Sequence, residues 1–166
     1  ADQSLLSDSA RESISGFMER GGTILFDTRD QDVGGDAGPG TLRLRALLAG
    51  MRIPPLEPVP ADHVLTRSFY LIQEFPGRWQ GAPVWIESQA ATSRDGVTSI
   101  VIGRHDWAAA WAMGPDWRPL YPVYPGGDRQ RELAYRFGVN LVMHVLTGNY
   151  KADQVHVRDI LERLGQ

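Results

Sequence analysis

The stretch SIVIGRHDWAAAW, residues 99–111, decides the fold of this chain because it joins a strand pattern directly to a helix pattern. Its β-prone residues run into Gly103, and an alanine- and tryptophan-rich segment typical of a helix follows Asp106. A sharp turn from strand to helix is where many α/β enzymes present a nucleophile. Arg104 and His105 stand at this turn, which is therefore an active site, a binding site or only the start of a helix.

Strand and helix patterns alternate on both sides of this stretch and predict an α/β fold. The predicted strands are 23–27, 68–75, 83–88 and 97–103, with a turn at 92–96 that makes 83–102 a hairpin. The predicted helices are one that begins at a capping box on Ser9 and ends at Gly21, then 41–50 with Thr41 as N-cap, a helix from Asp106, 129–147 and 155–164. We expect a mostly parallel sheet with an antiparallel edge and helices on both of its faces.

Apolar residues at helical spacing predict the buried faces of the last two helices. In 129–147 they are Leu133, Phe137, Leu141, Val142 and Val145. In 155–164 they are Val157, Ile160, Leu161 and Leu164. Trp107 and Trp111 lie one helical turn apart, and we expect them in the core rather than on a stacking surface.

The composition excludes several classes of protein. The 166 residues are 42% apolar and 22% charged, which suits one globular domain of ordinary size. The net charge is −3 without a basic run, so we expect no nucleic-acid partner. The absence of cysteine excludes disulfides, thiolate zinc sites and a cysteine nucleophile. No window reaches the roughly 18 apolar residues of a membrane span, so we expect no membrane insertion by this segment.

Charged residues follow two of the predicted strands and form the candidate site. Asp27 is the last residue of the strand 23–27, and Arg29 and Asp30 follow it. Open α/β sheets bind ligands beyond the carboxyl ends of their strands. Their alternative role is a salt-bridged strand end. At the second strand end, His105 is a candidate acid or base, and Asp106 is equally a candidate N-cap of the following helix.

Other patterns in the sequence give weaker evidence of a functional site. A glycine pair opens the helix at 126–129 and is suited to an anion, but it lacks a phosphate-loop signature, and Asp128 repels phosphate. The histidines are at 63, 105, 144 and 156, and no two of them have the spacing of paired metal ligands. We therefore expect no metal and no cofactor. No G-x-S-x-G motif supports a serine hydrolase.

Four blocks of the sequence resemble a bacterial family called domain of unknown function 4159 (DUF4159). They are GGTILFDTRD at 21–30, DHVLTRSFYLIQEFPGRW at 62–79, SIVIGRHDWAAAWA at 99–112 and GGDRQRELAYRFGVNLVMHVLTGNYKADQVHV at 126–157. The resemblance implies a class I glutamine amidotransferase-like fold, a flavodoxin-like three-layer sandwich. It also implies that residues 1–166 form a single α/β domain, the C-terminal, soluble part of a larger membrane-anchored bacterial protein, and that strands preceding GGTILFD are missing.

An active class I amidotransferase presents a cysteine at the strand-to-helix turn, which corresponds here to 103–106. Because this chain has no cysteine, amidotransferase chemistry by that route is excluded. The first hypothesis is a non-catalytic domain that binds a small ligand or a partner protein, or that contacts the rest of a longer chain. Its pocket residues are Asp27, Arg29, Asp30, Arg104, His105 and Asp106. The alternatives are a hydrolase with His105 as general base and Asp30 or Asp106 as its orienting group, and a purely structural scaffold.

Overall fold

The computed structural model describes residues 6–30, 38–88 and 97–147, which contain both helices and strands. The elements are α1 (Asp8–Glu19), β1 (Ile24–Asp27), α2 (Pro39–Leu48), β2 (Leu56–Pro58), a 3₁₀ turn (Val64–Thr66), β3 (Trp85–Glu87), β4 (Ile100–Gly103), α3 (Trp107–Trp111) and α4 (Gly127–Thr147). The α/β class predicted from the sequence is confirmed. None of the helices in these ranges has the length and apolar character of a membrane span.

The four strands form one open, mixed sheet in the order β1-β4-β3-β2. The prediction of a central strand at 97–103 is confirmed, because β4 pairs with β1 on one side and with β3 on the other. The prediction of a mostly parallel sheet is wrong. Only β1 and β4 run parallel, whereas β3 is antiparallel to both β4 and β2. The three-layer arrangement stays a prediction.

The predicted strand 68–75 is also wrong, and the reason lies in its hydrogen bonds. The amides of Phe69 and Tyr70 donate to Oδ1 of Asn140 on α4, at 3.1 and 2.7 Å. The amide of Ile72 donates to the carbonyl of Thr66. Because a side chain and a local turn supply these partners, the segment has no need of a neighbouring strand. The proline-rich stretch 53–63, in contrast, contains the short strand β2.

The first helix ends where the sequence predicts and begins two residues earlier. The amide of Gly22 donates to the carbonyl of Phe17, and that of Gly21 to the carbonyl of Met18. This is a Schellman motif, and the positive φ of 89° at residue 21 explains why glycine occupies this position. At the other end the N-cap is Ser7 rather than Ser9, since Ser7 Oγ accepts the amide of Ala10 at 3.2 Å.

Helices α2 and α4 begin at residues other than those predicted, because residues other than the predicted ones cap them. The N-cap of α2 is Gly38, and Thr41 lies inside the helix. Helix α4 begins at Gly127, and the side chain of Gln130 accepts the preceding amide, that of Gly126. The turn at 92–96 and the helix at 155–164 lie outside the described residues.

The core lies between the sheet and α4, and it explains which face of α4 is buried. Its fully buried side chains are Leu65, Ile72, Val84, Ile86, Val101, Trp107 and Phe137, and partly buried apolar residues, Leu133, Leu141 and Trp111 among them, pack against it. The core placement of the two tryptophans is thus confirmed. The burial of Val142 and Val145 is wrong, because the polar residues Asn140 and His144 occupy the inner face at that level.

Candidate functional site

The candidate site lies at one edge of the sheet, where β1 and β4 end side by side. These strands are parallel, and Asp27 is in register with Gly103. The residues that follow them, 28–30 and 104–106, therefore leave the sheet at the same edge. This is the edge at which open α/β sheets bind ligands.

The carboxylate of Asp27 caps helix α3 from the neighbouring strand. Its Oδ2 accepts the amide of Trp107 at 2.7 Å, and its Oδ1 accepts the amide of Asp106 at 3.1 Å. Asp106 occupies the N-cap position, but its side chain makes no capping hydrogen bond. It lies instead 3.5 Å from the guanidinium of Arg78. The interpretation of the Asp106 side chain as the cap is therefore corrected, because a left-handed backbone turns it away from the free helix amides.

The same carboxylate oxygen holds two strained residues. Oδ1 of Asp27 also accepts the amide of Arg29, at 3.2 Å. Arg29 and Asp106 have φ angles of 58° and 53°, in the left-handed region that most side chains avoid. Such a conformation costs about 1–3 kcal/mol for each residue and persists only where the surroundings enforce it. Asp27 thus fixes the backbone that leaves both strands.

Asp30 caps helix α2 in a similar way. Its carboxylate accepts the amides of Gly40 and Thr41 and the hydroxyl of Thr41, with Gly40 at 2.8 Å and the hydroxyl at 2.7 Å. Burial raises the pKa of Asp30, but these hydrogen bonds favour the charged form and leave the pKa below its ordinary value. The close approach requires glycine, since a Cβ at Gly38 would lie 2.5 Å from Cγ of Asp30.

His105 is buried, and backbone groups satisfy its imidazole. Nδ1 accepts the amide of Arg104 at 3.2 Å, so Nε2 carries the proton and donates to the carbonyl of Ala82 at 3.0 Å. The ring stacks on Trp107 with 4.6 Å between centroids. Burial lowers the pKa of His105, although the bond to Ala82 and the charge of Asp27 oppose that shift. Among the described residues, neither ring nitrogen bonds a carboxylate.

The two arginines of the candidate site differ in exposure. Arg104 is partly buried, and its guanidinium donates to the carbonyl of Asp30 at 2.9 Å. Its contact therefore joins the ends of β4 and β1. Arg29 is exposed and follows the end of β1. The structure thus brings the predicted residues to one edge. The side chains of Asp27, Asp30, Arg104 and His105 bond backbone groups, whereas Arg29 is exposed to solvent.

Two clefts share part of their lining, and His105 lines one of them. One has a volume of about 430 Å³ and is lined by His105 and by residues of the segment 73–84. The other, of about 610 Å³, shares that wall and reaches Arg129 at the start of α4. The shared polar side chains are Gln73, Glu74 and Gln80. Sequence reasoning missed them because no motif or periodicity distinguishes them from ordinary surface residues.

A pair of buried histidines was also missed. The rings of His63 and His144 are 5.6 Å apart, although 81 positions of sequence separate them. Nε2 of His144 accepts the amide of Thr98 at 3.3 Å, and its Nδ1 has no hydrogen-bond partner among the described residues. Burial, with the charge of His63, lowers the pKa of His144 to about 4. No cluster of three or more metal-binding side chains is found in the described ranges.

The comparisons with known proteins identify the family of this chain but not its function. No curated protein matches the sequence. The family described as "Domain of unknown function (DUF4159)" matches residues 1–146, which include every residue of the candidate site. The chain therefore belongs to the DUF4159 family, as the four sequence blocks predict.

Proposed function

We propose that this domain is a non-catalytic binding module whose site is the shared end of β1 and β4. The observation that carries the proposal is the pair of left-handed residues, Arg29 and Asp106, held by one oxygen of Asp27. Strain of this kind clusters at ligand clamps and active sites, where the backbone is fixed in advance of binding. The ligand is a small molecule or a partner protein that offers a negatively charged group.

The roles of the six site residues follow from their contacts. Asp27 and Asp30 hold the helix starts, and His105 fixes the turn between β4 and α3. Arg29 contacts the ligand directly, and Arg104 supports it from the end of β4. The Arg78 guanidinium lies 3.5 Å from the carboxylate of Asp106 and balances its charge, and Arg29 is the exposed cation of the edge.

Hydrolysis, the alternative function, requires His105 to accept a proton while a carboxylate orients it. Both ring nitrogens are engaged with backbone groups, and the lowered pKa favours the neutral ring. The carboxylate of Asp30 is engaged with α2, and that of Asp106 lies beside Arg78. These contacts support binding rather than catalysis.

The proposed wider context is a class I glutamine amidotransferase-like, three-layer domain within a membrane-anchored bacterial protein. The parallel pair β1–β4 and the turn from β4 into α3 support that fold. If this turn is the counterpart of the amidotransferase nucleophile turn, as the resemblance implies, Arg104 and His105 stand in place of cysteine, which supports a role without that chemistry. The ligand or partner would then belong to an assembly at the cell envelope.

Replacement of Arg29 by glycine tests the proposal because it removes the cation and the backbone strain together. We expect the free energy of unfolding of Arg29→Gly to be unchanged or up to about 1 kcal/mol higher, since glycine adopts a positive φ freely. We expect its affinity for anions to fall about tenfold, the effect of one lost charged contact. Calorimetric titration with phosphate, citrate and an acidic peptide measures the affinity, and urea unfolding measures the stability.

The matched control is Arg43→Gly, which removes an exposed cation from α2. It should bind as the wild type does and lose about 1 kcal/mol of stability, because glycine weakens a helix interior. Anion affinity that survives Arg29→Gly, or that falls equally in the control, would show that the site lies elsewhere.

A further inference from the structure

A cleft lies between helix α4 and the irregular segment 69–78, which runs beside the helix in the opposite direction. Toward the end of α4, the side chain of Asn140 bonds the backbone of residues 69 and 70. Toward its start, the side chain of Gln130 bonds the carbonyls of residues 77 and 78. Between these two attachments the walls leave a cleft of about 610 Å³. Both attaching side chains are buried, so the walls are held in place independently of any ligand.

The two walls of this cleft carry opposite charges. Arg129 lines it from α4, Glu74 lines it from the facing segment, and both side chains are exposed. The carboxylate of Glu74 accepts the side-chain amide of Gln80 at 3.1 Å, which is a neutral partner. Within the described part of the chain, neither Arg129 nor Glu74 forms an ion pair, with each other or with another residue. The cleft therefore presents one cation and one anion to a ligand.

The second arginine of the α4 wall, Arg136, is already engaged within the protein. Its guanidinium bonds the carboxylate of Glu132 and lies 5.1 Å from the centroid of the Tyr70 ring. Its charge is thus balanced, unlike that of Arg129. The rest of the lining includes the apolar side chains of Ile72 and Leu133. Leu133 follows Arg129 by one helical turn, so the apolar lining lies beside the unpaired cation.

We propose that this cleft binds a zwitterion, an α-amino acid or a short peptide with a free ammonium group, a free carboxylate and an apolar side chain. The carboxylate bonds the guanidinium of Arg129, whose paired donors match two carboxylate oxygens. The ammonium group bonds Glu74, and the apolar side chain packs on Ile72 and Leu133. None of the six candidate residues at the ends of β1 and β4 lines this cleft, so the two sites are separate.

Calorimetric titration of the full chain with leucine and with the dipeptide leucyl-leucine tests the proposal. Both probes carry one ammonium group and one carboxylate, and we expect at least one of them to form a one-to-one complex. The two titrations distinguish a single amino acid from a peptide as the ligand. The N-acetylated form of the probe lacks the ammonium group, and the amidated form lacks the carboxylate. Each blocked form should bind about tenfold more weakly than the free probe, the effect of one lost charged contact.

Glu74→Gln distinguishes a zwitterion site from a simple anion site, because the two give opposite results. Loss of this carboxylate should lower the affinity for the zwitterion about tenfold, whereas it would raise the affinity for an anion. Arg129→Gln should lower the affinity for the zwitterion about tenfold as well. The controls are Arg43→Gln, at an exposed cation of α2, and Arg29→Gly, at the end of β1, and both should bind as the wild type does.

Thermal unfolding of each variant checks that the fold is retained, which we expect because the substituted side chains are exposed. Absence of binding by both probes at millimolar concentration would overturn the proposal. Equal binding of the free and blocked forms would overturn it in favour of an apolar contact alone. Affinity that rises in Glu74→Gln, that is unchanged in Arg129→Gln, or that falls in Arg29→Gly would overturn it as well.

Discussion

Asp27 organises the edge of the sheet through three backbone amides. Two of them belong to residues with positive φ, and the third is the first helical residue of α3. A carboxylate suits this position because the free amides at a helix start carry partial positive charge. One side chain thereby fixes both the turn after β1 and the turn after β4.

Asp27→Asn should lower the free energy of unfolding by about 2 kcal/mol, measured by urea denaturation. The amide retains one acceptor oxygen, but it loses the negative charge and turns an N–H₂ group toward backbone donors. Asp62→Asn, at an exposed aspartate, should change stability little. Equal losses in the two variants would show that Asp27 does not act as a cap.

Gly103 is required for the packing of Trp107 at the same turn. A Cβ at this position would lie 2.1 Å from the indole ring, which is fully buried. Gly103→Ala should therefore cost more than about 2 kcal/mol, since the core must shift to accept it.

A second glycine serves as the control for that prediction. Gly16 lies inside α1, where the atom nearest to an added Cβ belongs to the flexible guanidinium of Arg20. Gly16→Ala should stabilise the protein by about 0.5–1 kcal/mol through helix propensity. Thermal unfolding of both variants checks the difference, and a tolerated Gly103→Ala would show that Trp107 repacks easily.

At the scale of elements, Asn140 attaches α4 to the irregular segment 65–70. Its Nδ2 donates to the carbonyls of Leu65 and Tyr70 at 2.9 and 2.8 Å, and its Oδ1 accepts two amides from the segment. The side chain is fully buried and uses its donors and acceptors on backbone groups. The helix thus takes the place of a neighbouring strand for this segment.

Asn140→Asp should cost about 3 kcal/mol or more, because it removes two donors and buries a carboxylate beside carbonyl oxygens. Hydrogen exchange should become faster at residues 65–72 than elsewhere in the described sheet. Glu132→Gln, which removes an exposed ion pair with Arg136 on the same helix, is the control and should change little. Uniform exchange across the chain would contradict a local role for Asn140.

At the scale of the whole molecule, buried neutral histidines connect stability to pH. Burial lowers the pKa of His63, His105 and His144, so each binds a proton more readily in the unfolded chain. The unfolded state therefore gains protons as the pH falls, and the folded state loses relative stability. His144 should contribute most clearly, since its pKa is lowered from 6.5 to about 4.

His144→Gln should weaken the pH dependence of unfolding. The wild type should lose up to about 3 kcal/mol through His144 as the pH falls from 6.5 to about 4, and this loss should be absent in the variant. Glutamine still offers an oxygen to the amide of Thr98. Urea unfolding at several pH values is the measurement, with exposed Glu12→Gln as control. An unchanged slope in His144→Gln would contradict this assignment.

The sequence by itself determined the features that depend on neighbouring residues. The strands β1 and β4, the Schellman end of α1 and the turn at 103–106 follow from local periodicity and from glycines at the right places. The long helix α4 follows from its apolar spacing, and the family follows from four blocks of sequence. The candidate residues at the ends of β1 and β4 could also be predicted from the sequence, because the carboxyl ends of parallel strands lie at the same edge of a sheet.

Only the tertiary structure decided how these parts serve one another. Asp27 caps a helix about 80 positions away, Asn140 takes the place of a strand for residues 69 and 70, and His144 meets His63. The direction of β3 depends likewise on which strands it finds as neighbours. Each of these outcomes is a hydrogen bond or a contact between residues distant in the chain. Local propensity carries no information about such partners. They are decided in the folded state, because each buried polar group there must find a hydrogen-bond partner.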